Sequence, residues 1–311
     1  MELDRQKNRV GPNSLARSWW EFFHFQLHNH NVLVDSADSS IFGAIFELKL
    51  PSIYTKSSVL NAPKYVIVFR GTLLNLDTMS RDIHLDLKCM INTPHQSSRF
   101  KLAMHSIQNT VDTAGASNVW LAGHSLGSAI ALLAGKNMAK MGFTLQTYLF
   151  NSPFTSSIFE RIVHEKIQQR IHIAGSVMKA GLYAALKVYH HYHDDHDNKQ
   201  DDPFSVLSTW VPYMFVNPDD HISSGYINYF AQRGEMEKFR AGIFEEIATK
   251  CTLESLVSCA LDKKSEPFHL LLSAELIINN GKMPGFREAH GIRQWWAPHS
   301  QFQSLIYEYG N

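Results

Sequence analysis

The residues best suited to chemistry lie at positions 123–127, where the sequence reads GHSLG. In the Gly-x-Ser-x-Gly pattern, a serine on a sharp strand-to-helix turn acts as a nucleophile. The pattern is short, but a strand-like run (VWLA) precedes it and an Ala- and Leu-rich run follows it. We therefore predict that Ser125 is a nucleophile and that Gly123 and Gly127 permit the tight turn. The competing interpretation is an ordinary turn with a helix-capping serine.

A nucleophilic serine needs N–H groups that stabilise the oxyanion of the tetrahedral intermediate. One donor is expected at Leu126, because it directly follows the serine. The other is expected from the loop after an earlier strand, which here reads RGT at positions 70–72. Gly71 allows a sharp turn there, so Thr72 is the predicted second donor; the alternative is a plain strand-end turn.

A base and an orienting acid are also required. In folds whose serine lies on this kind of strand-to-helix turn, they follow the serine in the order acid, then base. The strand-like run TWVPYMFV is followed by Asn-Pro-Asp-Asp. Either Asp219 or Asp220 can be the acid, and we expect the other to cap the next helix. The candidate bases are His269, His290 and His299, and their spacing favours His290.

Strand-like and helix-like segments alternate around these residues, which predicts an α/β fold with a mostly parallel sheet. The run KYVIVFR is almost continuously apolar, as in a strand buried on both faces. An aromatic-rich segment at 19–25 predicts a helix that packs on the body. The predicted strands are 41–50, 64–70, 118–122, 145–150, 209–216 and an extended piece at 269–278; the predicted helices are 97–114, 126–141, 222–240 and 243–261.

Residues 154–205 interrupt this alternation with an amphipathic stretch and the polar run HHYHDDHDNKQDD. We predict a single domain, 1–311, in which this insertion covers the mouth of the site, because loops after parallel strands line the catalytic crevice. The alternative is a helix that only completes the core. The His- and Asp-rich run at 190–202 matches no defined metal-site spacing, so a solvated loop is favoured there.

Composition narrows the classes of function. The chain has 311 residues, of which 44% are hydrophobic and 19% charged, so it can bury a large core. Lys+Arg and Asp+Glu both number 29, which argues against nucleic-acid binding through bulk charge. The charged N-terminus lacks a signal-like apolar stretch, and no apolar run reaches the length of a membrane span. With three widely spaced cysteines, read as reduced thiols, these features predict a cytoplasmic location.

Taken together, four segments resemble the class 3 lipases over about residues 15–309: FRGT at 69–72, GHSLG at 123–127, NPDD at 217–220 and HGIRQWW at 290–296. The closest likeness is to their plant lipase-like branch, often labelled "GDSL esterase/lipase". No Gly-Asp-Ser-Leu block occurs, so the GDSL mechanism is not implied. The resemblance implies an α/β-hydrolase fold with a helical cap insertion. It favours Asp220 over Asp219, and it favours His290 because an aromatic residue, Trp295, follows it closely.

The resemblance implies a serine ester hydrolase that cleaves lipid or lipophilic esters, with Ser125 as nucleophile, His290 as base and Asp220 as orienting acid. Neither a metal nor an organic cofactor is expected. The expected partner is a small-molecule or lipid ester, and transient contact with a lipid surface is compatible with the sequence; the oligomeric state is left open. Two alternatives are a non-catalytic lipase-like signalling scaffold and an acyltransferase with the same three residues.

Overall fold

The computed structural model describes residues 2–9, 11–14, 19–51, 61–71, 98–154, 203–238, 271–298 and 300–308. Several predicted features lie outside these ranges. They are Thr72, most of the insertion at 154–205 with its His- and Asp-rich run, the helix predicted at 243–261, His269, His299 and the three cysteines.

The described strands form one eight-stranded sheet in which neighbours in space are also neighbours in sequence. The five strands β3 to β7 run parallel, whereas β1, β2 and β8 pair antiparallel at the two edges. This confirms the predicted α/β class with a mostly parallel sheet, although the sequence did not predict the outermost strands β1 and β8. The strands are β1 (Phe25–Val34), β2 (Ile41–Leu48), β3 (Tyr65–Phe69), β4 (Val119–His124), β5 (Gln146–Phe150), β6 (Tyr213–Val216), β7 (Ala274–Asn279) and β8 (Phe302–Tyr307).

The described α-helices are α1 (Glu2–Gln6), α2 (Trp19–Phe22), α3 (Ser98–Ala114), α4 (Leu126–Lys140), α5 (Pro203–Ser208), α6 (Gly225–Lys238) and α7 (Phe286–His290). Helix α3 joins β3 to β4, and its buried residues recur at three- and four-residue steps, as an amphipathic helix requires. It ends at Gly115, whose φ of 83° suits glycine. Helix α4 joins β4 to β5 and packs on β3, β4 and β5, so its small apolar residues are buried almost all round.

Burial along the parallel strands alternates, so one face of the sheet is buried more deeply than the other. On β3, Tyr65, Ile67 and Phe69 are buried, whereas Val66 and Val68 are only partly buried. The expectation of a strand buried on both faces therefore holds fully for one face of β3 and only in part for the other. The described crossovers give the reason, because α3 and α4 each lead to the next strand at the same edge of the sheet. Right-handed crossovers of that kind place their helices on the same face.

The aromatic N-terminal segment also differs from the prediction of one helix packed on the body. Helix α2 is only four residues long, and β1 begins three residues after it. The Trp20 ring contacts Phe46 at a centroid distance of 5.2 Å. In contrast, Phe22 and Phe23 are exposed and contact each other edge to face. The aromatic cluster is thus divided between packing and surface.

Candidate active site

Ser125 lies on the sharp turn between β4 and α4, with φ 54° and ψ −127°. A positive φ is uncommon for a non-glycine residue, so the rest of the turn must hold it in place. The two flanking glycines leave no room for a side chain. A β-carbon on Gly123 would lie 2.3 Å from the Gly127 carbonyl oxygen, and one on Gly127 would lie 2.3 Å from the Phe69 carbonyl oxygen. The turn therefore requires glycine at both positions.

The structure brings Ser125 together with His290 and Asp220. Ser125 Oγ lies 2.9 Å from His290 Nε2. His290 Nδ1 lies 3.0 Å from Asp220 Oδ2. All three residues are buried. With Nδ1 protonated and donating to Asp220, Nε2 is free to accept the Ser125 hydroxyl proton, which is the arrangement that makes a serine nucleophilic.

The Asp220 carboxylate follows β6 and is fully buried, yet four groups donate hydrogen bonds to it. Oδ2 accepts from Asn151 Nδ2 at 2.8 Å and from Ser223 Oγ at 2.6 Å, in addition to His290. Oδ1 accepts from the Ile222 N–H at 3.1 Å. Burial by itself raises the pKa of Asp220, but the hydrogen bonds and the charge of protonated His290 outweigh it, so the pKa lies below its ordinary value. The group is therefore held as a carboxylate.

Asp219, the other candidate acid, is exposed, and its carboxylate is not the one hydrogen-bonded to His290. Its Oδ2 accepts a hydrogen bond from the Met283 N–H at 3.4 Å. The prediction that the second aspartate caps the following helix was wrong, because α6 begins only at Gly225. Asp220 itself organises the intervening turn, since its carbonyl oxygen accepts from the N–H groups of Ser223 and Ser224.

Hydrogen bonds to the carbonyl oxygens of Ala289 and His290, the last two residues of α7, hold this helix in place. The Ala289 carbonyl accepts hydrogen bonds from Asn151 Nδ2 at 3.0 Å and from Gln294 Nε2. The His290 carbonyl lies 2.7 Å from His124 Nε2, which must therefore carry the proton that is donated. Burial lowers the pKa of His124 to about 4, and the charge of protonated His290 acts in the same direction. His124 is therefore neutral at physiological pH.

The surroundings of the serine also bear on the predicted oxyanion donors. Leu126 is the first residue of α4, and the first N–H groups of a helix have no partner within the helix. Gly71, two residues after the end of β3, is close enough that a β-carbon built on it would lie 3.6 Å from Ser125 Oγ. Thr72, the next residue, is outside the described residues, as are His269 and His299.

Sequence reasoning missed the residues that support the three central side chains, namely Asn151, His124, Ser223 and Gln294. One sequence signal was available, because Asn151 directly follows the strand predicted at 145–150. In the structure it has φ 48°, a conformation in which asparagine is enriched. Within the described ranges, no group of three or more His, Cys, Asp or Glu residues is arranged to hold a metal ion. No described helix is both long and apolar enough to cross a membrane.

Known proteins resemble this chain over part or nearly all of its length. The family model for class 3 lipases matches residues 66–179, which include all but the first residue of β3, the serine turn and β5. A protein of Arabidopsis thaliana named "GDSL esterase/lipase" is 42% identical over 313 aligned positions, covering 99% of this chain and 88% of the relative. No solved structure matches the chain. Because the likeness to this relative extends along nearly the whole chain and the family model covers the serine turn, the chain belongs to the class 3 lipase family of lipases and esterases.

Proposed function

We propose that this protein hydrolyses carboxylic esters through an acyl-enzyme formed on Ser125. The observation that carries the proposal is the unbroken hydrogen-bonded series from Ser125 Oγ to His290 and on to Asp220, with separations of 2.9 and 3.0 Å. The strained turn that holds the serine at the start of α4 supports the same assignment. Family membership supplies independent support for an activity on esters.

In the first half-reaction, His290 Nε2 accepts the hydroxyl proton as Ser125 Oγ attacks the ester carbonyl carbon. The tetrahedral intermediate collapses, the carbon–oxygen bond to the alcohol breaks, and His290 delivers the proton to the departing alkoxide. Asp220 holds the imidazole with Nδ1 protonated and stabilises the imidazolium. A water molecule then attacks the acyl-enzyme by the same proton transfers and releases the carboxylic acid.

The negative charge on the carbonyl oxygen is held, in this proposal, by the N–H groups of Leu126 and Thr72. Leu126 is suited to this role because the positive end of the α4 dipole lies at its N–H. For Thr72 the support is the position of its neighbour, Gly71, whose backbone approaches Ser125 closely. A side chain at position 71 would press on Ser125, since its β-carbon would lie 3.1 Å from that of Ser125.

We further propose that the esters are lipids or lipophilic molecules. The support is the lipase family itself and the aromatic surroundings of His290, which delivers a proton to the alcohol. The half-buried Phe286 ring stacks on the His290 ring at a centroid distance of 5.5 Å. The exposed His221 ring lies tilted against Phe286 at 4.1 Å. An apolar alcohol group that leaves past His290 would meet this surface.

The test is covalent labelling with a fluorophosphonate probe, followed by kinetics on a series of ester chain lengths. Wild type should be labelled, and Ser125→Ala should not. Ser128→Ala is the matched control, because Ser128 is a fully buried serine near the start of α4 whose hydroxyl has no hydrogen-bond partner among the described residues. Folded wild-type protein that resists the probe, or Ser125→Ala that remains fully labelled, would show that Ser125 is not the nucleophile.

A further inference from the structure

We propose that Asn151 is a positioning residue that fixes the acid and the base relative to each other. The inference rests on the proposed function, because it assigns Asn151 a role in that reaction. Asn151 is fully buried at the end of β5. Its side-chain amide joins the segment that carries Asp220 to the segment that carries His290.

The amide makes three hydrogen bonds, which together determine its orientation. Nδ2 donates both to Asp220 Oδ2, at 2.8 Å, and to the Ala289 carbonyl, at 3.0 Å. Oδ1 accepts from Trp295 Nε1 at 2.8 Å. Since the indole N–H can only donate, Trp295 fixes which end of the amide is oxygen. The two N–H groups therefore point at the acid and at the backbone beside the base.

The backbone conformation at position 151 also limits which residue types fit there. Residue 151 has φ 48°, which few residue types other than glycine and asparagine adopt readily. Its N–H donates to the Phe215 carbonyl at 2.9 Å, which ties the turn to β6, the strand that leads to Asp220. Asparagine tolerates this backbone conformation and also supplies a side-chain hydrogen-bond donor. Glycine would tolerate the conformation but supply no such donor.

The hydrogen bond from Asn151 to Asp220 also affects how strongly the carboxylate stabilises the imidazolium form of His290. Asn151 donates to the same oxygen that accepts from His290 Nδ1. A donor there withdraws negative charge from that oxygen, so the carboxylate stabilises the imidazolium less strongly. Without the donor, the carboxylate should stabilise the imidazolium more strongly. Among the described side chains, the titratable groups that face the His290 ring are Asp220 and His124, and His221 lies beyond Phe286.

Two substitutions of Asn151 distinguish the effect of losing its orienting amide from the effect of adding a negative charge. Asn151→Gly keeps the backbone conformation and removes the amide, while the Ala289 carbonyl retains Gln294 as a donor. Asn151→Asp keeps the shape and the acceptor for Trp295 but places a second carboxylate against Asp220. Asn217→Asp is the matched control. Asn217 is an equally buried asparagine directly after the neighbouring strand, and its side chain contacts Gln294 and the Asp219 N–H rather than Asp220 or His290.

The experiment measures kcat and KM for a short-chain soluble ester as a function of pH, together with fluorophosphonate labelling. Loss of a hydrogen bond to a charged group predicts a kcat/KM about 10- to 100-fold lower in Asn151→Gly, mostly through kcat. The acid limb of the kcat/KM profile should move to higher pH in both Asn151 variants, and further in Asn151→Asp. Asn217→Asp should leave that limb where it is in wild type.

The inference is overturned if the Asn151 variants keep wild-type kcat/KM with an unshifted acid limb. It is also overturned if they lose activity with an unshifted limb to the same extent as Asn217→Asp, because that pattern belongs to a purely structural residue. If Asn151→Gly does not fold, Asn151→Asp decides by the same criteria. If wild-type protein is not labelled, both the proposed function and the role of Asn151 are rejected. If wild type is labelled and the Asn151 variants behave like wild type, only the role of Asn151 is rejected.

Discussion

His124 should make the stability of the folded protein depend on pH between neutrality and pH 5. Its pKa is lowered from 6.5 to about 4 in the folded protein, chiefly by burial. In the unfolded chain it takes up a proton near pH 6.5, and in the folded protein only near pH 4. Because the unfolded state binds the proton first, acidification favours unfolding. The stabilising contribution is complete above about pH 6.5 and is lost as the pH falls towards 4.

The size of the effect follows from the two pKa values. Proton linkage between 6.5 and about 4 gives a loss of about 2 kcal/mol in the free energy of unfolding on going from pH 7 to pH 5. His124→Gln isolates it, because the glutamine amide nitrogen can take the place of Nε2, continue to donate to the His290 carbonyl, and does not titrate. Wild type should therefore lose about 2 kcal/mol more than His124→Gln over this interval.

Urea unfolding of wild type and variant at pH 7 and pH 5 measures this difference directly. His105→Gln is the control, since His105 is an exposed histidine on α3, and it should follow the wild-type pH dependence. A His124→Gln variant with the same pH dependence as wild type would refute the reasoning, because another group would then be responsible for any loss seen.

Three further predictions concern the proposed chemistry and the turn that holds it. Asp220→Asn should lower kcat on the order of 10⁴-fold, because it favours the wrong imidazole tautomer, whereas Asp219→Asn should lower kcat far less and change stability by less than about 0.5 kcal/mol. Steady-state kinetics of the two variants will rank them, and the reverse order would reject Asp220. Ser125→Ala and His290→Ala should each lower kcat by several orders of magnitude, and the double variant should be no slower than either, because the residues act as one unit; additive losses would contradict this. Gly127→Ala should destabilise the protein by at least about 3 kcal/mol, because its β-carbon would overlap the Phe69 carbonyl. Gly142→Asn should cost less than about 1 kcal/mol, because position 142 has open space around it and a φ of 86° that asparagine tolerates. Thermal unfolding compares the two variants, and equal losses of stability would argue against the tight turn.

Local sequence patterns determined much of the fold. Helix α3 was predictable because Phe100, Ile107 and Val111 repeat at helical spacing and Gly115 ends the helix. The serine turn was predictable for a related reason, since its glycines, strand and helix are contiguous in the chain. Strands β1 and β8 escaped prediction, because an edge strand exposed on one side lacks the continuous apolar run that marked β3.

The partners of Ser125 were beyond local pattern. His290 is 165 residues away from Ser125 in the chain and 70 away from Asp220, and only the alignment of the parallel strands brings all three to the same edge of the sheet. The residues alone left Asp219 and Asp220 as equivalent candidates. The turn after β6 distinguishes them, because it buries one carboxylate against the histidine and leaves the other in solvent.

The sequence by itself therefore determined the α/β class, the serine turn and the short set of acids and bases that could serve it. Only the tertiary structure decided which of those groups meet, and it introduced Asn151 and His124, whose side chains join segments far apart in sequence. The physical reason is that secondary structure and tight turns follow from neighbouring residues, whereas a buried carboxylate is stable only where distant segments supply its hydrogen-bond donors.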